Sequence, residues 1–377
     1  MEYKEYELGE LLYYEQPTPY IVESTDYNDA YETPVLTAGK SFILGYTDEK
    51  EGIYDQLPVI IFDDFTTASQ YVNFKFKVKS SAMKILTPVT ELVLPKYIYY
   101  RMQIINFDHS THKRYWIQQY SKIRVSVPPL SEQERIVARI EELFSQLDAG
   151  VETLKKTKAQ LAVYRQAVLK EAFSDCDDSV TMGSVATMID PQPSHRTPPE
   201  FENGIPYIGI GDIDYNGKTI RFKNARKVNP SVYEDHLQRY TLRDGDFVMG
   251  KIGTIGKPFR LPLPQNYTLS ANVILIQPDA GKINPEYLFW QFSSPLITEQ
   301  LMEGKNETSQ PAFGIQKARL LQIKMCSPEA QDRIVYDIRE KISVCEHIEQ
   351  TVTLSLQQAE AMRQSILKKA FEGRLLE

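Results

Sequence analysis

Glu134-Arg-Ile-Val137 and Arg165-Gln-Ala-Val-Leu-Lys-Glu-Ala-Phe173 recur later in the chain as Asp332-Arg-Ile-Val335 and Arg363-Gln-Ser-Ile-Leu-Lys-Lys-Ala-Phe371. Both pairs have the same offset of 198 residues, so 40 residues align without a gap, and 14 of the 40 are identical. An internal repeat of this kind defines the architecture and is sought before any other feature. It predicts a duplicated structural element in this chain of 377 residues.

Both copies of the repeat have the periodicity of long amphipathic helices, with apolar residues every seven positions. In the first copy these positions are Ile140, Leu147, Leu154, Leu161 and Val168, and the partner seam holds Ile136, Leu143 and Tyr164 with interruptions at Gly150 and Thr157. In the second copy they are Ile338, Cys345, Val352, Ala359 and Ile366, joined by Ile334, Ile348 and Met362.

The start and the packing of these helices can also be predicted. Ser131 and Glu134 form a capping box directly after two prolines, which places the start of the first helix there. At 1.5 Å per residue, each helix would span about 55–60 Å. Two such helices on one chain are expected to bury their apolar seams against each other. The alternatives are that each helix packs onto its own neighbouring module, or that the seam forms an intermolecular coil.

The segments that precede the two helices differ from them in sequence pattern, and we call these segments modules. They contain short strand-like runs and turn signals, and three stretches match in the same order: 8–11 with 182–185, 80–86 with 269–275, and 96–100 with 286–290. The second module is about 24 residues longer. We therefore expect four segments: a module over 1–127, a central long helix over 128–178, a second module over 179–325 and a C-terminal long helix over 326–377.

Composition limits the class of protein. Hydrophobic residues make up 42% and charged residues 25%, the balance of a soluble globular chain. The three cysteines form no CxxC pair, which argues against a disulfide framework or a cysteine zinc site. An acidic N-terminus and the lack of a long apolar run predict a cytoplasmic protein without a membrane partner. The net charge is −7, so any DNA binding must rely on local basic patches.

Basic residues of the first module include a regular pattern. Phe74-Lys-Phe-Lys-Val-Lys79 predicts a strand with apolar side chains buried and Lys75, Lys77 and Lys79 on the opposite face. Such a face is either only solvated or, with Lys84 nearby, a track for DNA phosphates. Further candidates are Lys40 and a small basic-aromatic cluster, which comprises His109, His112, Lys113, Arg114 and Tyr115.

The second module contains a glycine-rich stretch, Gly250-Lys-Ile-Gly-Thr-Ile-Gly-Lys257. It is not a P-loop, because Lys251 and Pro258 stand where that motif requires glycine and serine or threonine. It is either a structural turn or a loop whose backbone amides and side chains touch phosphates. The DNA-binding candidates here are Lys251, Thr254 and Lys257, and those of the basic stretch 217–227 are Arg221, Lys223, Arg226 and Lys227.

Residues for catalysis are lacking in the sequence. There is no nucleophile elbow, no HExxH, no metal-ligand spacing of the five histidines, and no tetrapeptide of the kind that adenine methyltransferases use to hold a flipped base. Asp63 and Asp64 follow an apolar run. A carboxylate metal site of a nuclease at these two residues is the weakest of the hypotheses. We expect no catalytic residue, no metal and no cofactor in this chain.

The proline-led stretch Pro128-Pro-Leu-Ser-Glu-Gln-Glu-Arg-Ile-Val137 and the two helix ends resemble a Type I restriction-modification specificity subunit. Stretches 34–40 and 61–67 resemble one kind of target-recognition domain of that family, and 245–256 resembles another. The resemblance covers the whole chain in the family's order. One departure is Cys326-Ser-Pro-Glu-Ala-Gln331 in the second copy, which predicts a weaker helix cap there.

The resemblance implies an α+β fold of two globular mixed α/β target-recognition domains, separated by two long helices that form an antiparallel coiled coil. Each domain would read one half of a split, asymmetric site in double-stranded DNA, and the coiled coil would set the gap between the half-sites. Two methyltransferase subunits carrying S-adenosylmethionine would dock on the chain, and ATP-driven restriction subunits would join for cleavage. The alternative of another class is a coiled-coil interaction protein that does not read DNA.

Overall fold

The computed structural model describes residues 3–39, 41–109, 114–194, 196–252, 254–303 and 313–375. The chain divides into two compact units, one of residues 1–155 with 353–377 and the other of residues 156–352. Unit 1 therefore contains the first module with the start of the central helix and the end of the C-terminal helix. Unit 2 contains the second module with the two remaining helix portions. The division into four segments stays a prediction.

The described residues of the first module form nine strands and two short α-helices. The strands are β1 Lys4–Glu7, β2 Leu12–Glu15, β3 Thr33–Leu36, β4 Ile43–Thr47, β5 Val59–Asp63, β6 Ser69–Val72, β7 Lys77–Val78, β8 Met83–Pro88 and β9 Arg124–Val127. The helices are α1 Leu8–Leu11 and α2 Pro95–Met102, with 3₁₀ turns at Thr18–Tyr20 and Tyr120–Lys122. The central long helix is α3, Leu130–Glu171.

The described residues of the second module form the remaining strands and helices. The strands are β10 Asp178–Thr181, β11 Ala186–Ile189, β12 Ile205–Ile208, β13 Ile213–Asp214, β14 Thr219–Ile220, β15 Lys227–Val228, β16 Phe247–Gly250, β17 Pro258–Arg260, β18 Thr268–Leu269, β19 Val273–Pro278 and β20 Gln322–Met325. The helices are α4 Met182–Val185, α5 Pro230–Leu237, α6 Pro285–Phe292, α7 Pro295–Glu303, α8 Ile315–Arg319 and the long α9 Pro328–Phe371, with 3₁₀ turns at Ile210–Asp212 and Phe222–Asn224.

The two modules share one topology. An antiparallel four-stranded sheet has the order β2-β8-β5-β6 in the first and β11-β19-β16-β17 in the second. A three-stranded sheet has the order β4-β3-β7 or β15-β12-β18, with one antiparallel and one parallel pair in each case. A ladder of the first and last strands closes each module, as β1-β9 and β10-β20. The β13-β14 hairpin is an addition of the second module.

Each four-stranded sheet is buried on both faces, because apolar side chains of its central strands point to both sides. In β5, Ile60 and Phe62 belong to the core that includes the long-helix residue Ile140. The alternate side chains of the same strand, Val59 and Ile61, belong to a second core with residues of the three-stranded sheet. Successive side chains of a strand point to opposite faces, so one apolar run supplies both cores. The second module has the same arrangement along β19.

Each long helix begins in a connection that the repeat preserves. The Gln133 side-chain amide donates to the Pro128 carbonyl oxygen at 2.8 Å, and its carbonyl oxygen accepts from the Leu94 amide at 2.8 Å. Gln331, the equivalent residue of the second copy, donates to the Cys326 carbonyl oxygen at 3.0 Å and accepts from the Asn284 amide at 2.9 Å. A buried glutamine thus fixes each helix start against α2 or α6, a role the sequence interpretation missed.

Two details of the predicted caps are wrong. Since α3 begins at Leu130, Ser131 lies inside the helix and is not its N-cap. The second copy, expected to have the weaker cap, has a side-chain cap, because Ser327 Oγ accepts from the Ala330 amide at 3.3 Å. Pro328 follows as the first helical residue, a position where a missing N–H is tolerated.

The long helices pair within each unit, as the fold class predicts. In unit 1 the Arg363 guanidinium lies 4.3 Å from the Phe144 ring centroid and forms an ion pair with Asp148. In unit 2, Arg165 and Glu349 are separated by 2.8 Å. The starts of the helices also pack into the cores of their modules, so the helix pair and the helix–module packing occur together.

Three predicted seam residues, Tyr164, Ile348 and Met362, are exposed. Ile342, which the heptad spacing did not select, is buried in the core of unit 2. An α-helix has 3.6 residues per turn, so the buried stripe drifts away from a strict seven-residue spacing along a helix of this length. The predicted main seam agrees with the structure at Ile140, Val168 and Ile338, which are buried.

Candidate nucleic-acid interface

Of the three lysines of the predicted basic strand, Lys77 is buried, and Lys75 and Lys79 are exposed. Only Lys77 and Val78 form strand β7, so the alternation over 74–79 does not continue as predicted. Lys77 is buried, with its ammonium 2.7 Å from the Glu49 carboxylate and 2.7 Å from the Glu51 carbonyl oxygen. The prediction that Lys77 faces DNA is therefore wrong, because its charge is neutralised inside the module.

Lys84 is also buried and is not available to DNA. Its ammonium lies 3.3 Å from the Asp64 carboxylate and donates to Gln16 Oε1 at 2.9 Å. Asp64 Oδ1 also accepts from the Trp116 amide at 2.8 Å. Asp63 Oδ1 accepts from the amides of the turn that follows β5. Both carboxylates thus have structural partners, which argues against a nuclease metal site at this pair.

Among the predicted DNA contacts of the first module that the structure describes, Lys75, Lys79 and Arg114 are exposed. Lys75 has a surface ion pair with Asp55 at 3.8 Å, in which both side chains are at least 60% exposed, so it contributes little to stability. The Lys79 ammonium lies 5.6 Å from the Tyr27 ring centroid. Lys40 and Lys113, together with His112 of the predicted cluster, lie outside the described residues.

Arg114 belongs to a surface that the sequence predicted only in part. Its guanidinium lies 5.8 Å from the exposed Phe65 ring, and Thr67 Oγ1 contacts His109 Nε2 at 2.9 Å. Tyr115, by contrast, is buried. We call Phe65, Thr67, His109 and Arg114 the β5-turn cluster. It combines a cation with an exposed aromatic ring, the side chains that stack on bases or contact phosphates. Phe65 was missed because it lies far from Arg114 in the sequence.

The described residues of the glycine-rich stretch, 250–252 and 254–257, belong to a tight structural turn. A Cβ on Gly250 would lie 1.9 Å from the Thr254 carbonyl oxygen, and Gly256 has φ +78°. The Gly256 amide donates to the Gly250 carbonyl oxygen at 3.3 Å, and the Lys251 amide donates to Asn272 at 2.8 Å. These two amides are therefore used inside the protein, which contradicts their use as a phosphate cradle and favours the structural reading for them.

The two lysines of this turn have different surroundings. The Lys251 ammonium lies 2.9 Å from the Asp190 carboxylate in a mostly buried pair, so its prediction as a DNA contact is not supported. Lys257 is exposed, and its ammonium lies 4.4 Å from the Tyr215 ring centroid. Tyr215 Oη donates to the Lys257 carbonyl oxygen at 3.0 Å, and burial raises the pKa of Tyr215 to about 12. Thr254 is exposed beside them.

Tyr215 connects this turn to the basic stretch 217–227. It follows β13 in the β13-β14 hairpin, whose Asn216-Gly217 turn is a sequence signal that was not used. Arg221 follows the hairpin and donates to the Gly211 carbonyl oxygen at 2.6 Å. Five predicted DNA contacts are exposed on this hairpin, on the segment after it and on the neighbouring turn, and we call them the hairpin cations: Arg221, Lys223, Arg226, Lys227 and Lys257.

Two features that would indicate other functions are absent from the described part of the chain. No group of three or more His, Cys, Asp or Glu side chains there is arranged to hold a metal ion. No helix among the described residues is long and apolar enough to cross a lipid bilayer.

Comparison with known proteins agrees with this architecture. Residues 1–162 match the family model of the Type I restriction modification DNA specificity domain. The Escherichia coli Type I restriction enzyme EcoR124I/EcoR124II specificity subunit is 41% identical over 227 residues, 56% of this chain and 55% of the relative. The E. coli EcoBI specificity subunit is 24% identical over 276 residues, 66% of this chain and 58% of the relative. This chain thus spans little more than half the length of these relatives.

A solved structure supports the fold over the whole chain. A chain from a study of complex assembly and conformational transition of the type I R-M system superposes with a TM-score of 0.71. The alignment covers 99% of this chain and 98% of that chain at 17% identity. The superposition shows a shared fold, and the sequence matches show that residues 1–162 are similar to a Type I restriction modification DNA specificity domain.

Proposed function

We propose that the chain provides the DNA sequence specificity of a Type I restriction-modification complex. Each module would read one half of a bipartite, asymmetric site in double-stranded DNA, with the long helices setting the spacing between the half-sites. The observation that supports this proposal is that the two modules have the same sheet topology but expose different residues on their surfaces. The β5-turn cluster of one module and the hairpin cations of the other offer two chemically different surfaces, as two different half-sites require.

The partners in this proposal supply the chemistry. Two methyltransferase subunits would dock on the helices and bind S-adenosylmethionine, and restriction subunits would bring ATP-driven translocation and cleavage. This chain would contribute no catalytic group of its own. The complex would act in the cytoplasm, where it meets DNA. Because the chain has a net charge of −7, the partner subunits would share the phosphate contacts.

A methylation map tests the proposal. The chain is co-expressed with its neighbouring methyltransferase in a host that lacks DNA methylation, and long-read sequencing locates the methylated adenines. A split asymmetric motif that disappears when this chain is omitted is the expected result. Methylation that does not depend on the chain would contradict the proposal and favour the alternative, a coiled-coil scaffold that does not read DNA.

The same map separates base contacts from phosphate contacts among the hairpin cations. Arg221→Ala and Arg226→Ala are compared with the unmodified chain at every position of the motif. Relaxed specificity at one position identifies a base contact, whereas a uniform decrease across all sites identifies a phosphate contact. Lys251→Ala is the matched control, because its ammonium is already paired with Asp190.

A further inference from the structure

Two cysteines of unit 2 converge on one tyrosine hydroxyl. Cys176 Sγ lies 3.4 Å from Tyr287 Oη, and Cys326 Sγ lies 3.6 Å from the same oxygen. The two sulfur atoms therefore share this hydroxyl as a common neighbour. Tyr287 Oη donates its own proton to the Lys324 carbonyl oxygen at 3.1 Å, so the thiols are placed as donors to its lone pairs.

The backbone brings the two cysteines to the same end of the β10-β20 ladder. Asp178 pairs with Met325 in this ladder, and the cysteines lie two residues before the first and one residue after the second. Residues opposite one another in antiparallel strands have Cα atoms about 4.5–5.5 Å apart. Cys176 and Cys326 lie diagonally just beyond this end of the ladder, and disulfides form at Cα separations of about 4.4–6.8 Å, which residues in such neighbouring positions can reach.

The first module shows that the fold does not need these thiols. Tyr97 occupies the position of Tyr287 in α2, and its hydroxyl donates to the Ser126 carbonyl oxygen at 3.4 Å. Ser126 and Lys324 are equivalent in the repeat, so the link from tyrosine to strand is present in both units. Proline stands at 128 where the second copy has Cys326. The hydrogen bond from the tyrosine hydroxyl to the strand thus forms in the first module without cysteines, and the cysteine pair is an additional feature of the second.

We propose that Cys176 and Cys326 are a modification site that forms a reversible intramolecular disulfide when the protein meets a peroxide. The half-buried Cys326 thiolate attacks one peroxide oxygen, breaks the O–O bond and becomes a sulfenic acid, while hydroxide leaves. The buried Cys176 thiol then displaces the sulfenic oxygen, forms the S–S bond and releases water. Overall, two thiols and hydrogen peroxide give one disulfide and two waters, with both sulfurs oxidised and both oxygens reduced.

The disulfide would join the segment that follows α3 to the residue pair that precedes α9. Burial, together with the neighbouring Cys176 thiol, raises the pKa of Cys326. The reaction is therefore expected to be slow at neutral pH and faster in alkaline solution, where more thiolate is present. A link between residues so distant in the sequence closes a long loop, and long loops favour large stabilisation of the folded state.

Peptide mapping of the full chain tests this site. Trypsin places the cysteines in separate peptides, 171–196 for Cys176, 325–333 for Cys326 and 342–363 for Cys345. After treatment of the folded protein with hydrogen peroxide, mass spectrometry without reduction is expected to find 171–196 joined to 325–333. Dithiothreitol is expected to reverse the link, and the midpoint of thermal unfolding is expected to rise by several degrees only in the oxidised form.

Variants make the result specific. Cys345→Ala keeps the crosslink and the thermal shift, because Cys345 is buried elsewhere, within α9. Cys176→Ser and Cys326→Ala each remove both, and circular dichroism checks that they are folded. Crosslinks that involve Cys345, links between chains, or sulfinic acids without the 171–196 to 325–333 link would overturn the proposal. An equal thermal shift in Cys326→Ala would overturn it as well.

Discussion

Lys84 and Asp64 form an ion pair of 3.3 Å in which both side chains are almost completely buried. Their residue types and positions had suggested a DNA phosphate contact for one and a metal ligand for the other. The structure assigns both to the interior of the first module, where each neutralises the other. A buried charge is tolerated only when it is paired and hydrogen-bonded, so this pair supports the fold of the β5-β8 region instead of forming a surface.

Breaking that pair is expected to destabilise unit 1 strongly. Lys84→Met leaves the Asp64 carboxylate buried without its cation, and such a loss costs about 3–5 kcal/mol of unfolding free energy. Urea unfolding followed by circular dichroism measures the change. Lys84→Met combined with Asp64→Asn is expected to recover part of the loss, since the amide oxygen can still accept from Trp116. Lys75→Ala is the exposed control, and a comparable loss there would contradict the assignment.

Lys79 and Lys77 offer a matched pair for DNA binding. If the proposed function is correct, Lys79→Ala is expected to weaken DNA binding to all sequences alike and to lower the salt dependence by about one phosphate contact, without loss of stability. Lys77→Met is expected to lower the unfolding midpoint, because it leaves the Glu49 carboxylate without its cation. Fluorescence anisotropy at several salt concentrations measures the first effect. Equal salt dependence for Lys79→Ala and the unmodified protein would exclude Lys79 as a contact.

Gly150 interrupts the seam of α3 without a structural need for glycine. A Cβ built at this residue meets no atom within 4 Å apart from the backbone of its own helix and its chain neighbours. Gly150→Ala is therefore expected to stabilise the helix by about 0.5–1 kcal/mol, since alanine restricts the unfolded backbone and favours the helix. Thermal unfolding is the measurement. A decrease in the midpoint would contradict the open surroundings of this residue.

Gly256 provides the opposite case. Its positive φ and the 2.1 Å separation of a built Cβ from Leu301 Cδ1 predict that Gly256→Ala destabilises unit 2 by about 1–3 kcal/mol. Combining it with Leu301→Ala removes the steric contact but keeps the backbone strain. The two substitutions are therefore expected to be non-additive in urea unfolding. Strictly additive losses would show that the contact with Leu301 is absent in solution.

His236 gives unit 2 a dependence on pH. Its ring nitrogens contact Thr268 Oγ1 and Gln192 Oε1, and burial lowers the pKa of His236 from its ordinary 6.5. Its neutral form therefore stabilises the fold fully above pH 6.5, and this contribution decreases as the pH falls from 6.5 towards the lower folded-state pKa. Thermal unfolding between pH 5 and 8 measures it. His236→Gln is expected to show a smaller difference between the two ends of this range, and an unchanged difference would exclude His236 as the cause.

The sequence was most informative where one periodicity dominated. The internal repeat predicted both long helices, and the matched stretches predicted equivalent elements, such as α2 and α6 or β8 and β19. The strand β5 coincides with the apolar run that precedes Asp63 and Asp64 in the sequence. These features depend on local spacing, which one sequence displays directly.

The site was harder to predict because charge and exposure are set by tertiary packing. Lys77 and Lys79 have the same sequence pattern, but only the fold brings Glu49 to one of them. Phe65 and Arg114 meet although they are distant in the sequence, and no local pattern relates them. The exposed Ile348 and Met362 show the same limitation on the helices, where the direction of the buried stripe depends on what packs against it.

The ladder that pairs the first and last strands has a consequence for how the two modules could diverge. Since β1 lies beside β9 and β10 lies beside β20, each module receives and returns the chain at one location. An insertion between those strands, such as the β13-β14 hairpin, does not alter the residues that join the long helix. Mutation, insertion or replacement within one module can therefore change the surface that it presents while the connection to the helices keeps its geometry. The ladder is therefore the boundary of a module that can be replaced as one unit.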